Sequence, residues 1–434
     1  MRVPLRLLLI VSLLSPLSLA RAEAPVEREV LLPEADALAR AVLAANPELS
    51  ALESEVAAAR SMAGGAGLWM DPMVGAEYSN MAFARPYPGG HAMSGVQLKL
   101  QQTLPFPGKL AARRAAADAK IEVAAASLPE RQNLLVGEVR ALWVRLGLVR
   151  QLRKITRSHI ELLAQLTEIA SVRAEVGQAS PIELQRLTLL GDRLEDDLED
   201  FDRDEALLLA RLDALLHRAP GEAVWSLSEY PALPSPPALE ALVEEAIARD
   251  PTLRRLAAAA ASEQAERRAA RTERKPDVTA WAGYRFRAPV SGGDPGEDFF
   301  SVGASIPLPW LWNDRRHGAR EARHAANARS LGARLESRQD QLRGALANAH
   351  ARLVRAATKA TRYREKLVPE AHAVLDATLA VYPTGKVGFE SVFQAELQLL
   401  EFERTLRRTE AEGWLAQTEL ETLTAENLRL VETK

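Results

Sequence analysis

The chain has 434 residues, a formal net charge of −3 from 55 basic and 58 acidic side chains, 5% aromatic residues and no cysteine. These values exclude a basic nucleic-acid-binding domain, a disulfide framework and a lipid attached through an N-terminal cysteine. With aromatics so scarce and Ala, Leu, Arg and Glu dominating the long stretches, extended helices fit better than globules built around a bulky core.

In chain order, Arg2 and Arg6 precede an apolar run from Leu7 to Leu14, and Ala20-Arg21-Ala22 supplies a small-x-small cleavage pattern, so residues 1–22 read as a secretory signal. An uncleaved anchor is the weaker reading, because Pro16 interrupts a run already short of the ~20 residues that span a bilayer. Residues 34–67 read as helix and 72–79 with 95–104 as an alternating hairpin. A long helix over 109–176, interrupted at Pro129, is followed after the break at 177–180 by a second helix over 181–217. At ~1.5 Å per residue the first of these approaches about 100 Å, which suits a tube better than a globule.

A Pro-rich linker occupies 218–237, and then the plan recurs: helix 238–274, strands near 277–287 and 299–306, a helix over 314–382 kinked at Pro369, a break at 385–388 and a last helix to about 430. The recurrence is visible in the residues themselves. ALARAVLAANPEL (Ala37 to Leu49) returns as ALVEEAIARDPTL (Ala241 to Leu253), and the second hairpin strand closes on LPFP (Leu104 to Pro107) in one half and IPLP (Ile306 to Pro309) in the other. A period near half the chain implies two copies of one large unit, 23–217 and 238–434, rather than a short-repeat solenoid.

Within the strands, Val96, Leu98 and Leu100 alternate with Gln97, Lys99 and Gln101, and Phe300, Val302, Ala304 and Ile306 alternate with Ser301, Gly303 and Ser305. One face is apolar and the other polar. That suits lipid outside and water inside a transmembrane barrel, with Gln97, Lys99, Gln101, Ser301 and Ser305 on the lumen side, and equally a soluble sheet lying on a core. No other part of the mature chain supplies such a core, which favours the barrel. Trp281 is an exception, since it falls in register with Thr279 and Gly283 on the water face. Four strands cannot close in lipid, so a membrane-spanning form must oligomerise. Two copies give eight strands and a very narrow interior, whereas three give twelve and room for water, and a conduit favours three.

Enzyme motifs are missing: there is no G-x-S-x-G, P-loop or dinucleotide fingerprint, and Gly64-Gly65-Ala66-Gly67 follows a helix, the wrong context for phosphate binding. No Cys-x-x-Cys or His-x-x-x-His pattern supports a structural zinc site, and no cofactor is implied. Met62, Met70, Met73, Met81 and Met93, with His91, could offer soft ligands to Cu(I), but methionine filling irregular or lipid-facing positions is the simpler account. His317, His324 and His350 lie on a charged helix and read as solvated. The acidic run Glu195 to Asp204 reads as a solvated helix face.

These parts in this order resemble the TolC-type outer-membrane efflux channels over essentially the whole mature chain, and DPM (Asp71 to Met73) with QQTLPFPGK (Gln101 to Lys109) resembles the heavy-metal-cation branch. The resemblance implies a mainly α fold with a small β part, as a homotrimer whose twelve-stranded β-barrel continues into a long periplasmic α-helical barrel. It further implies partners: a periplasmic adaptor and an inner-membrane pump, of the resistance-nodulation-division type. By the same resemblance Val176, Gly177, Gln178, Ala179 and Ser180, with Gly385, Lys386, Val387 and Gly388, are the turns that meet the adaptor, and Tyr382 is the aromatic of the periplasmic constriction. The family's prototype closes its periplasmic end with carboxylates six and nine residues after the tip glycine. This chain has Glu183 and Arg186 after the first tip glycine and Ser391 and Gln394 after the second, so that acidic ring is not reproduced. The expected activity is passive export of small solutes, not enzymatic. The alternative is a periplasmic adaptor or spacer built on helical hairpins.

Overall fold

The computed structural model describes residues 33–79, 83, 93–221, 230–235, 237–287 and 296–432. The signal reading of 1–22, and Met81 and His91 of the candidate soft-ligand cluster, lie outside the described residues. The chain forms α1 (Pro33–Ala45), α2 (Pro47–Ala66), β1 (Met73–Ser79), β2 (Gly95–Leu104), α3 (Lys109–Glu175) and α4 (Pro181–Leu215). The order then repeats as α5 (Leu239–Arg249), α6 (Pro251–Thr272), β3 (Val278–Arg287), β4 (Phe299–Ser305), the short α7 (Pro309–Trp312), α8 (Asp314–Arg362), α9 (Val368–Val381) and α10 (Phe389–Leu423), closed by α11 (Arg429–Glu432).

Three expectations about helix continuity are corrected. The helices expected over 34–67 and 238–274 are each broken in two, at Pro47 and at Pro251. Proline is tolerated in a first helical turn, where its missing N–H would have no partner anyway, and the residue before it caps the new helix. Asn46 Oδ1 accepts from Glu48 N at 3.0 Å and Asp250 Oδ1 from Leu253 N at 2.6 Å. Pro129, expected to interrupt α3, does not: the helix runs through it for 67 residues. Pro369 has the opposite effect. It cannot bond to the carbonyl of residue 365, and a single π-helical turn, Tyr363–Leu367, separates α8 from α9 just before it.

The four strands form one antiparallel sheet in the order β1-β2-β3-β4, with β1 and β4 as its edges. Among the described residues the buried side chains fall into several separate clusters. Leucine-rich patches recur along the helices: Leu163, Leu187, Leu375 and Leu399 join α3, α4, α9 and α10 near the turns, while Leu38, Val139 and Leu212 join α1, α3 and α4 further up. Beneath the sheet the contact is made by alanines, Ala116 against Ala265 and Ala269, which lets α3 and α6 approach closely. Among the described residues no helix is long and apolar enough to cross a membrane.

Candidate functional site

The sheet sorts its side chains by register. Across the three ladders Val74, Leu100, Ala282 and Val302 lie in one row and Ala76, Leu98, Tyr284 and Phe300 in the next, all on one face. That face is open: Val74 is 79% exposed, Phe300 70% and Val302 68%. Side chains directly opposite each other in a ladder share a face, so the alternate rows put Gln97, Lys99, Gln101, Ser301 and Ser305 together on the other one. There Gln97 Nε2 donates to Ser301 Oγ at 3.2 Å, and Arg285 donates to Gln97 Oε1 at 3.0 Å. Arg285 is a member of this face that the alternation did not single out, because its partner is 188 residues away.

The exception Trp281 acquires a physical account. Its ring covers Gly303, where an added Cβ would meet the indole Cζ2 at 2.5 Å, and Lys99 Nζ sits 4.6 Å from the ring centroid. A glycine on the neighbouring strand and a lysine on the strand before it thus accommodate a large aromatic on the polar face, through a cation–π contact.

At the foot of the sheet, QQTLPFPGK acts as a structural clamp. Lys109, buried, donates to both oxygens of Asp277 at 2.9 and 3.0 Å and to the Lys275 carbonyl at 3.2 Å, while the Phe106 N–H donates to Asp277 Oδ1 at 2.9 Å. Burial opposes the Asp277 charge, but these donors outweigh it and hold its carboxyl below the usual range. Gln101 Nε2 lies 3.6 Å from Met73 Sδ, so Met73 has a neighbour within the sheet.

At the far end of the helices the two turns meet. Gly177 and Gly385 both adopt φ +74°, the left-handed region where a side chain is strained. Arg173, in the last turn of α3, joins them: its guanidinium donates to the Tyr382 carbonyl at 3.0 Å and to the Gln178 carbonyl at 3.3 Å, and lies 4.4 Å from the Tyr382 ring centroid. The Tyr382 hydroxyl donates to Glu183 at 3.3 Å, and the ring is 1% exposed. Burial first, then the Glu183 charge, pushes the phenol above its ordinary value. Arg186 pairs with Glu390 at 2.5 Å, and Gln394 donates to the other oxygen of Glu390 at 2.8 Å; these two donors hold its carboxyl low. Thus Glu183 and Tyr382 are brought together, and Arg186 and Gln394 meet on a residue not expected to join them. Ser391 does not join either group, although its N–H starts α10 on the Gly388 carbonyl at 3.2 Å. Val176, Gln178, Lys386 and Val387 lie in the turns, and Ala179 and Ser180 lead into α4, whose cap is the Ser180 hydroxyl.

Between tip and sheet lies a charged cluster that sequence reading missed. His159 on α3, 4% exposed, is bonded through Nδ1 to the wholly buried Glu396 of α10 and through Nε2 to Glu403 at 3.0 Å, whose other oxygen meets His372 of α9 at 2.9 Å. Burial alone would lower the imidazole, but the bonds and charges of Glu396 and Glu403 raise it to about 9. The histidines read as solvated are in part bonded too: His324 to Glu263 at 2.7 Å and His350 to the Pro237 carbonyl at 3.0 Å. Within the acidic run Asp197 pairs with Arg404 and Asp202 with Arg153, so that face is partly a helix contact. No group of three or more His, Asp or Glu able to hold a metal occurs among the described residues.

No family profile and no curated protein sequence matches this chain. Solved structures do. The outer-membrane channel OprN superposes with a TM-score of 0.74 at 19% identity, over 91% of this chain and 90% of its own. VceC, an outer membrane protein of Vibrio cholerae, gives 0.74 at 18% identity, over 90% and 96%. CusC, studied for transmembrane channel formation, gives 0.69 at 16% identity, over 91% and 92%. Near-complete coverage on both sides at this similarity establishes that the chain, helices and sheet together, has the fold of these outer-membrane channel proteins.

Proposed function

We propose that this chain is the outer-membrane component of a tripartite export system, a passive duct of the TolC type. The observation that carries the proposal is the sheet: an exposed apolar face, a polar opposite face and two edge strands, mounted on helices of which none, among the described residues, is long and apolar enough to cross a membrane. Three copies close it into twelve strands with the polar face inward. The signal segment 1–22 directs export, the repeats 23–217 and 238–434 each supply one hairpin, and the helices extend into the periplasm. There the turns at Gly177 and Gly385 engage an adaptor, which links the duct to an inner-membrane pump of the resistance-nodulation-division type. Heavy-metal cations as cargo are supported by DPM and QQTLPFPGK, and exposure of a deletion strain to copper, silver, cobalt, zinc and cadmium salts tests that cargo.

The duct itself is tested by single cysteines in the protein purified in its membrane form. Those at Gln97 and Ser301 react with water-soluble maleimides, whereas those at Leu98 and Val302 react only with lipid-soluble reagents, because neighbouring strand residues point to opposite faces. Equal labelling of the two sets, or a water-soluble monomer on sizing, refutes the duct.

A further inference from the structure

Directly beneath the sheet the helices carry a charge that the chain as a whole does not. Residues 109–120, 266–275 and 314–323 contain thirteen basic and five acidic side chains, in a protein whose net charge is −3. On the α3 side the bases are neutralised: Lys109 by Asp277, Arg113 by Glu273, Arg114 by Asp118 and Lys120 by Glu266. Of the bases in the α6 and α8 segments, Arg274, with Asp314, and Arg267, with Glu321 at 3.3 Å, are the ones with carboxylate partners among the described residues. Arg268, Arg271, Arg315, Arg316 and Arg320 are exposed and form no ion pair among the described residues. Arg268 and Arg271 line an open groove between α6 and α8 that also holds Arg267 and Arg329 against the single acid Glu321, over the methyl groups of Ala325 and Ala328.

Immediately above this surplus the chain exposes apolar bulk. Ile306, Leu308, Trp310 and Leu311, between β4 and α8, are each about half exposed, as is Trp69 before β1 at 61%. Arg315 and Arg316 follow Leu311 by four and five residues, so the positive charge begins within about one helical turn of the apolar rim. An aromatic rim with a basic surface one turn below it matches the border of a bilayer, apolar at the acyl edge and anionic at the headgroups.

We propose that the α6–α8 face beneath the sheet is a docking surface for anionic phospholipid headgroups of the periplasmic leaflet, with Trp310 and Leu311 seated at the acyl edge. The proposal rests on the reading of the sheet as the membrane-spanning part. It gives the collar a binding role distinct from the duct, one that anchors the helices at a fixed depth.

The test uses the full mature protein in phosphatidylcholine nanodiscs with increasing phosphatidylglycerol, with bound lipid counted by native mass spectrometry. Phosphatidylglycerol binds at least tenfold more tightly than phosphatidylcholine, and the preference falls in 1 M salt, where the screening length drops to about 3 Å. The combined substitution Arg271→Gln, Arg315→Gln, Arg316→Gln and Arg320→Gln removes the preference, at roughly fivefold per arginine for the first removed. The corresponding four Arg→Lys changes keep it, which separates loss of charge from loss of fold. Equal binding of the two lipids, or a preference that survives the glutamines, overturns the proposal. So does displacement of the lipid by millimolar inorganic phosphate, which assigns the arginines to a free anion. Cysteine at Leu98 in the same nanodiscs separates the two readings: lipid-buried Leu98 without lipid preference refutes the collar alone, and water-exposed Leu98 refutes the membrane reading and the collar with it.

Discussion

At the level of single residues, Gly303 has no room for a side chain while Trp281 keeps its place. A β-carbon there would lie 2.5 Å from the Trp281 ring, and a larger side chain must evict the indole from under Lys99. Gly303→Leu therefore destabilises the sheet, and the expected result is a melting transition of the assembled protein lowered by several degrees, whereas Gly303→Leu combined with Trp281→Ala recovers most of the loss. His159 gives a pH-dependent prediction. Its folded value of about 9 lies above the unfolded 6.5, so the protonated ring contributes roughly 3 kcal/mol that is fully present below pH 6.5 and is lost as pH rises through 9. Glu403 runs the other way: burial opposes its charge, but the bonds and charges of His159 and His372 prevail and hold it low, so its share disappears in acid. Chemical denaturation at pH 6 and pH 9.5 should show the native protein losing stability at the higher value. His159→Leu should lose about 3–5 kcal/mol at pH 6, because Glu396 is then buried beside an apolar group.

At the level of elements, the two copies use the same device at the same place, a cap followed by proline, but not at equal strength. Asn46 caps α2 at a partly exposed site, whereas Asp250, 2% exposed, caps α6 and also accepts from Arg338 at 2.7 Å. Asn46→Ala should cost about 1 kcal/mol. Asp250→Ala should cost clearly more, since it also leaves the Arg338 guanidinium without its carboxylate, and parallel thermal melts of the two variants decide the order. The strands were legible from sequence because a period of two needs only local alternation, and their observed limits lie within one residue of those expected. Helix breaks were less so. Pro47, Pro129, Pro251 and Pro369 look alike in sequence, yet two begin helices, one is carried through and one follows a π turn. What separates them is whether the preceding residue caps a new helix and whether the helix can spare the lost bond. The clusters around His159 and Arg173 were invisible for another reason: each gathers partners from helices more than 200 residues apart in the chain.

At the level of the whole molecule, the turns and the sheet stand at opposite ends of α3, whose 67 residues span about 100 Å. A defect in one end therefore need not reach the other. Gly177→Val with Gly385→Val places β-branched residues at φ +74°, which should distort both turns while leaving the distant sheet unchanged. Under the proposed function, cells carrying this variant lose export and adaptor crosslinking with unchanged amounts of assembled protein. Unchanged export with normal crosslinking removes the turns from the adaptor contact.

The linear order of the sheet has a genetic corollary. Because β1 and β4 are both edges, under the proposed function every copy needs a sound neighbour on each side, and the proposed barrel of three copies has three seams that must all be intact. An allele that spoils one edge, such as Val302→Pro in β4, is then predicted to be dominant rather than recessive. Expressed equally with the normal allele, it would leave only about one assembly in eight free of a faulty copy, as random mixing into symmetric trimers requires.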